Sequence, residues 1–342
     1  LCCKVTMIKI KIYELNKHRN ETTFRPLLLQ QHLFKEVGIE FVNSGPADFA
    51  FVGHASIVNK KVSLDESTNQ GVQFLKDVKE PYFIFDGQDA ATLMGIYEVA
   101  SRTNPIYVLK PTLYKHRSDY LKKTVNGRIY WGEGNYSLPN LDIFDKVKLS
   151  HFNWLSTLTA NWYSYDTNKS YDISLLLGRR STDSIEHDLN QTPHYNNHRE
   201  NLFNKVDKKY KSAYLDKGQR LSTQEYLNTM YNCKIVLSPF GFGEVTPRDL
   251  EAAMFGCVLI KPDMSHLEMI PDVYVPNQTY VPCKHDFSDI NEKIDYVLSD
   301  YTNLQKFYTE NLKKKYIEES KPEKMVMYYY DLFKNIKGVT TE

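Results

Sequence analysis

Apolar and polar residues along this chain follow two spacings, a period of about two or short unbroken apolar runs for strands, and a period near 3.6 for helices. Lys9 to Leu15 alternates like an opening strand, and Phe24 to Val37 carries a helical apolar stripe that stops at Gly38. Ile39 to Val42 and Phe49 to Val52 read as short strands, the second running into Gly53 and His54. Then come a helix around Gln70 to Val78, the strand Tyr82 to Phe85, the loop Asp86 to Asp89, a helix from Ala90 to about Ser101, and the strand Ile106 to Leu109. Strands alternating with helices predict a parallel sheet joined by crossovers, one Rossmann-like unit. From Lys110 to about Lys169 the periodicity loosens into Tyr, Trp, Gly and Asn, and the domain junction is placed there.

Regularity returns at Tyr171 to Leu177, an almost continuous apolar strand ending at Gly178-Arg179-Arg180-Ser181. A helix near Asn197 to Val206, a strand near Lys211 to Leu215, a helix Thr223 to Asn232, a strand Ile235 to Leu237, a helix Pro247 to Phe255 and a strand Val258 to Ile260 follow. Ser222 and Glu225 have capping-box spacing at a helix start. Ser288 to Leu298, Tyr301 to Tyr316 and Pro322 to Ile336 read as closing helices. The expected class is therefore α/β with two Rossmann-like domains, residues 1–165 and 166–320, and a terminal segment 321–342.

Composition changes this picture little. A chain of 342 residues, 42% hydrophobic and 25% charged, is long for a single core and ordinary for two. Its 43 basic and 42 acidic residues leave a net charge of +1, so no global field draws it to nucleic acid or a membrane, and phosphate recognition has to be local. Cys2, Cys3, Cys233, Cys257 and Cys283 show no zinc-site spacing, so a reducing, cytoplasmic setting and no metal are expected. No apolar run approaches the roughly 20 residues that span a bilayer. Five N-x-S/T matches, at Asn20, Asn135, Asn168, Asn190 and Asn277, are ascribed to chance in an Asn-rich chain. Residue 1 is leucine, which fits a chain cut from a larger polypeptide.

The chemistry concentrates between Ser238 and Gly256. The order there is strand, Gly-rich loop, helix, strand. In an open α/β sheet ligands bind beyond the carboxyl ends of the strands, where glycines allow close backbone approach and a helix start offers free amides to phosphate. Pro247 suits the first helical position. Arg248, in the first turn, opposes the helix dipole and so calls for an anion such as a diphosphate. Glu251, three residues on, lies near the same face and suits ribose hydroxyls, or else simply pairs with Arg248.

The run Ser238-Pro239-Phe240-Gly241-Phe242-Gly243-Glu244, with Thr246, Arg248-Asp249-Leu250-Glu251-Ala252, Gly256-Cys257-Val258-Leu259-Ile260 and Lys261 to His266, resembles the donor-site signature of GT-B glycosyltransferases, especially the group 1 and exostosin-like families. The resemblance covers roughly residues 171 to 300. It implies two domains facing across a cleft, a last helix crossing back to the first domain, a nucleotide-diphosphate sugar donor with UDP favoured over GDP, a glycan or other hydroxyl acceptor, and no required metal or cofactor. Glu251 matches the second of two conserved acids of the group 1 pattern, whereas Glu244 leaves six intervening residues where that pattern has seven between its members. Gly178, Arg179 and Arg180 fall where such enzymes contact donor phosphates. For an inverting reaction the acceptor's base is expected from the first domain, with Asp86, His54 and Asp89 as candidates; Asp89 is also read as the N-cap of the following helix. His198 and Arg199 are read as a surface helix start, and Lys261 to His266 with Glu268 as a possible rim of the cleft. Similar domains in algal-virus and bacterial surface-glycan enzymes suggest that context. The rival readings are a non-catalytic carbohydrate- or nucleotide-binding module and an NAD-dependent oxidoreductase; the latter lacks a GxGxxG after the opening strand, since Tyr13 to Asn20 has no glycine.

Overall fold

The computed structural model describes residues 7–13, 21–59, 61–125, 128–129, 137–153, 167–178, 192–216, 219–241 and 243–336. The first half opens with β1 (Ile8–Tyr13), α1 (Glu21–Leu29), α2 (Gln31–Glu36), β2 (Ile39–Val42), β3 (Phe49–Gly53), α3 (His54–Ile57), α4 (Leu64–Lys76) and β4 (Tyr82–Phe85). It continues with α5 (Ile96–Ser101), β5 (Val108–Lys110), β6 (Thr112–Tyr114), the short antiparallel pair β7 (Thr124–Val125) and β8 (Arg128–Ile129), and β9 (Val147–Leu149). Six of these strands form a parallel sheet in the order β2-β1-β3-β4-β5-β9. All five residues of β3 are buried, as expected for a central strand covered on both faces.

The second half runs β10 (Tyr171–Leu175), α6 (Thr192–Lys205), β11 (Ser212–Tyr214), α7 (Thr223–Tyr231), β12 (Cys233–Leu237), α8 (Pro247–Met254), β13 (Val258–Pro262), β14 (Leu267–Met269), β15 (Val281–Cys283), α9 (Ile290–Ser299), α10 (Tyr301–Glu319) and α11 (Pro322–Lys334). Its parallel sheet has the order β11-β10-β12-β13-β15. The chain reverses direction across the sheet between β1 and β3 in the first sheet and between β10 and β12 in the second. Such switch points open a crevice at the carboxyl ends of the strands.

Most expected elements occur, with differences that have local causes. The single helix expected over 24–37 is two, α1 and α2, divided at Gln30. Helix α4 begins earlier than expected, because the Ser63 hydroxyl accepts the Glu66 N–H and caps a polar first turn that shows no apolar stripe. The helix expected from Ala90 starts only at Ile96. Gly95 takes φ +79° ahead of it and donates its N–H to the Glu98 carboxylate, so residues 90–95 form a buried turn. Asp89 therefore precedes a turn and caps no helix.

Helix α11 returns to the first sheet. Met325, Val326, Tyr329 and Phe333 are buried against Phe24, Phe34, Phe49, Phe51 and Phe83. The Phe333 ring lies 5.5 Å from Phe83 and 5.9 Å from Phe51. Tyr328 and Tyr329 extend the docking by donating to the Leu149 carbonyl (2.7 Å) and Asn153 Oδ1 (3.0 Å) just past β9. A second tie is β14, which pairs antiparallel with β6 and is braced by the Arg117–Glu268 ion pair. A continuous buried cluster runs from Ile84, Ala91 and Leu113 to Val236, Leu259 and Leu267, so the halves share apolar packing near these ties. Among the described residues no helix is long and apolar enough to cross a membrane.

Candidate functional site

The segment after β12 sits at the switch point of the second sheet, beside the end of β10 where Gly178 is exposed. Ser238 and Pro239 are buried, and Ser238 N donates to Ile260 O (2.9 Å), carrying the sheet one residue past the strand. Gly241 N then donates to Gly243 O (2.9 Å), closing a tight turn. Pro247 fills the first position of α8, as the sequence suggested, and Thr246 caps the helix ahead of it. The half-buried Arg248 side chain leaves the first turn toward the end of β10, with Nη2 3.5 Å from the Leu176 carbonyl and Nε buried. A guanidinium at a helix start, beside two strand ends, is suited to a diphosphate.

Glu251 is half-buried, and its Oε2 accepts the Tyr226 hydroxyl of α7 at 2.7 Å. Burial pushes its carboxyl above the usual value, while the Tyr226 bond and the Arg248 charge oppose that shift. Its environment leaves a carboxylate oriented by a phenol, a fitting acceptor for paired hydroxyls.

Glu244 is fully buried and faces the other way. Its Oε2 accepts the Ala91 N–H at 3.3 Å, binding the Gly-rich loop to the turn after β4. Gly243 lies against the same turn: a Cβ built on it would fall 2.1 Å from the Asp89 carbonyl oxygen. The carboxyl edges of the two sheets thus meet at this loop, and glycine at 243 is required by that approach.

The first-domain candidates differ sharply in setting. Asp86 follows β4 with no exposure, ion-paired at 2.9 Å with Lys110, itself fully buried, and its Oδ1 accepts the Gln88 N–H. His54 begins α3 at the end of β3 and is half-buried, its Nδ1 side packed beside Gly87. Asp89 has an exposed side chain and a backbone that touches the Gly-rich loop at Gly243.

Arg179, Arg180 and Phe242 lie outside the described residues. Arg199, read from sequence as part of a surface helix, is instead buried within α6 and donates to the Gly178 carbonyl at 2.6 Å, anchoring the turn after β10. Its neighbour His198 stacks on His285 with centroids 4.3 Å apart, and Phe240 lies 6.1 Å from His198. The sequence signal was present, a basic residue one helix after a strand-end glycine, but helical spacing alone leaves its facing open. Past β13, His266 is buried against Tyr114, and Glu268, within β14, makes the Arg117 ion pair between the halves.

Two parallel sheets whose carboxyl edges face each other, with the last helix crossing back, define a protein of the GT-B fold. Two solved structures of like architecture agree. One is sucrose-phosphate synthase from Thermosynechococcus elongatus, 10% identical, with a TM-score of 0.52 over 97% of this chain and 100% of that one. The other is Anabaena HepE in complex with UDP and glucose, 7% identical, with a TM-score of 0.50 over 96% of this chain and 100% of that one. No protein-family model matches the sequence. No curated protein matches it either.

Proposed function

We propose that this chain is a glycosyltransferase that moves a sugar from a nucleotide-diphosphate sugar, UDP in preference to GDP, to a hydroxyl acceptor. The observation that carries the reading is the placement of Arg248 and Glu251 on the first turns of α8, at the switch point of the second sheet and opposite the carboxyl edge of the first. Arg248 would stabilise the departing diphosphate without a metal, and Glu251 would take the ribose hydroxyls. Gly241 and Gly243 keep the loop thin enough for close approach.

For deprotonation of the acceptor we favour Asp89, with His54 second. A general base must reach the acceptor oxygen and exchange protons with solvent. Asp89 is exposed beside the donor loop and His54 is half-buried, whereas Asp86 is locked beneath Lys110. Asp86 is better suited to hold the end of β4 in place. HepE, a protein of the same fold, is known in complex with UDP and glucose, which makes UDP the first nucleotide to test here.

The test is a thermal-shift panel of UDP and GDP followed by turnover of UDP-sugars. Stabilisation by UDP is expected, about 2.7 kcal/mol at a hundredfold excess over Kd. Arg248→Ala and Glu251→Ala should each remove transfer while the protein stays folded, and wild-type turnover in both would end the site assignment. Donor hydrolysis by the wild type separates an enzyme from a binding module of the same fold.

A further inference from the structure

Beneath the Gly-rich loop lies a polar knot centred on Asp249, a residue that takes no part in the donor contacts above. Asp249 is fully buried. Its Oδ1 accepts from Ser238 Oγ (2.6 Å) and Thr246 Oγ1 (3.1 Å). Its Oδ2 accepts from Thr246 N (3.2 Å) and the Tyr274 hydroxyl (2.6 Å). The Lys261 ammonium, also without exposure, stands 3.0 Å from Oδ2, an ion contact outside good hydrogen-bond alignment. It also lies 5.2 Å from the Phe240 ring centre and 5.7 Å from that of Tyr274.

These contacts join four pieces of chain: the end of β12, the end of the loop, the first turn of α8 and the end of β13, with Tyr274 closing the knot from the following loop. Asp249 directly follows Arg248 and precedes Glu251 by two. Fixing its side chain to two neighbouring strands fixes the rotation of α8 about its axis, and with it the directions in which Arg248 and Glu251 project. We propose that the Asp249–Lys261 pair is a positioning device for the nucleotide site, holding the loop and α8 in the geometry that binds a nucleoside diphosphate. The proposal rests on the donor-site reading of Arg248 and Glu251.

The choice of a carboxylate follows from the donors around it. Four hydrogen-bond donors and an ammonium converge on two oxygens, and an amide offers one acceptor oxygen and one NH2 that cannot take the Thr246 N–H. The lysine's part is charge balance. Burial pushes its ammonium toward the neutral form and Asp249 opposes that, so the cation is held by this partner.

Asp249→Asn, Lys261→Met and the double variant are compared with wild type by UDP titration calorimetry and by donor KM and kcat, at a temperature where circular dichroism shows each protein folded. Folded Asp249→Asn should bind UDP at least tenfold more weakly and show the loss in donor KM more than in kcat. The double variant, which removes the unpaired buried cation, should regain melting temperature without regaining UDP affinity. A purely structural role would return both together, and that result overturns the proposal. Unchanged UDP affinity in folded Asp249→Asn overturns it as well, with the donor-site reading intact because wild type still binds. If wild type binds neither UDP nor GDP, the donor-site reading fails and the proposal falls with it. Should Asp249→Asn not fold, Tyr274→Phe removes one donor and keeps the ion pair; a several-fold loss of UDP affinity is expected, and none would refute the device.

Discussion

Gly243→Ala tests the meeting of the two domains at the donor loop. The added methyl would lie 2.1 Å from the Asp89 carbonyl oxygen, 2.5 Å from its carbon and 2.8 Å from the Asp89 Cβ. Carbon atoms at such positions do not come within 3.0 Å of their neighbours, so one of the two backbones has to retreat by about 1 Å. Overpacking of this kind costs about 1–3 kcal/mol. The retreat also stretches the Glu244 Oε2 to Ala91 N bond, already 3.3 Å, and a hydrogen bond to a charged group is worth about 1.5–3 kcal/mol when well formed. Together these give a loss of about 2–4 kcal/mol, read as a lower urea midpoint at unchanged slope. Displacing the loop should also weaken UDP binding about tenfold, equivalent to about 1.4 kcal/mol. Gly178→Ala is the control for stability alone, because its methyl would meet only the Arg199 Nη1 at an ordinary 3.6 Å and should leave the urea midpoint in place. Wild-type midpoint and UDP affinity in Gly243→Ala would refute the contact between the donor loop and the turn after β4.

Three further outcomes follow from other contacts. Tyr226→Phe removes the 2.7 Å donor to Glu251, a charge-assisted bond of about 1.5–3 kcal/mol that opposes the upward shift of the Glu251 carboxyl. The folded Glu251 carboxyl already sits above its unfolded value, so lowering the pH protonates it first in the fold; that favours folding while removing the ribose acceptor. UDP affinity measured against pH should therefore fall on the acid side, and fall at a higher pH in Tyr226→Phe; an unmoved midpoint would show that this bond does not tune the site. Lys110→Met strands the buried Asp86 and should cost about 3–5 kcal/mol in a denaturant melt, most of it recovered by adding Asp86→Asn. Phe333→Ala empties a fully buried position among Phe49, Phe51 and Phe83 and should cost about 3–5 kcal/mol, and a loss below 1 kcal/mol would mean that α11 is not docked on the first sheet.

The elements that could be read from sequence are those whose cause is local. β3 and β12 show as apolar runs because central parallel strands are covered on both faces. Helix α7 shows through its Ser222–Glu225 box, and α8 through Pro247 after a glycine loop. What could not be read depends on partners far along the chain. Asp86 looks like any strand-end acid until Lys110, 24 residues on, is found beside it in the core. Arg199 looks like a surface residue until the Gly178 carbonyl is seen to take it, 21 residues back. The three-residue strands β6 and β14 are too short to show a period, yet they join the halves. The irregular spacing of Glu244 goes with an unusual partner: its carboxyl accepts the Ala91 N–H of the first half, 153 residues back.

That turn of Glu244 also narrows where acceptor chemistry can take place. The donor loop is held to the first domain at Gly243 and Glu244, and both contacts fall on the segment from Asp89 to Ala91. On the proposed reading, a sugar carried on a diphosphate at Arg248 would project toward this segment, because Phe240 and the Asp249 knot are buried on the loop's other side. On that reading, the acceptor hydroxyl would approach from the first domain, past the ends of β3 and β4. The ionisable groups there have been sorted by burial: Asp86 is neutralised inside the core by Lys110, while Asp89 remains at the surface and His54 half so. A base must shed its proton between turnovers, so Asp89, and after it the half-buried His54, is where the chemistry can be sought. Asp89→Asn should then lower kcat while leaving UDP affinity as it is, and an equal loss of both would place Asp89 in the donor's binding instead.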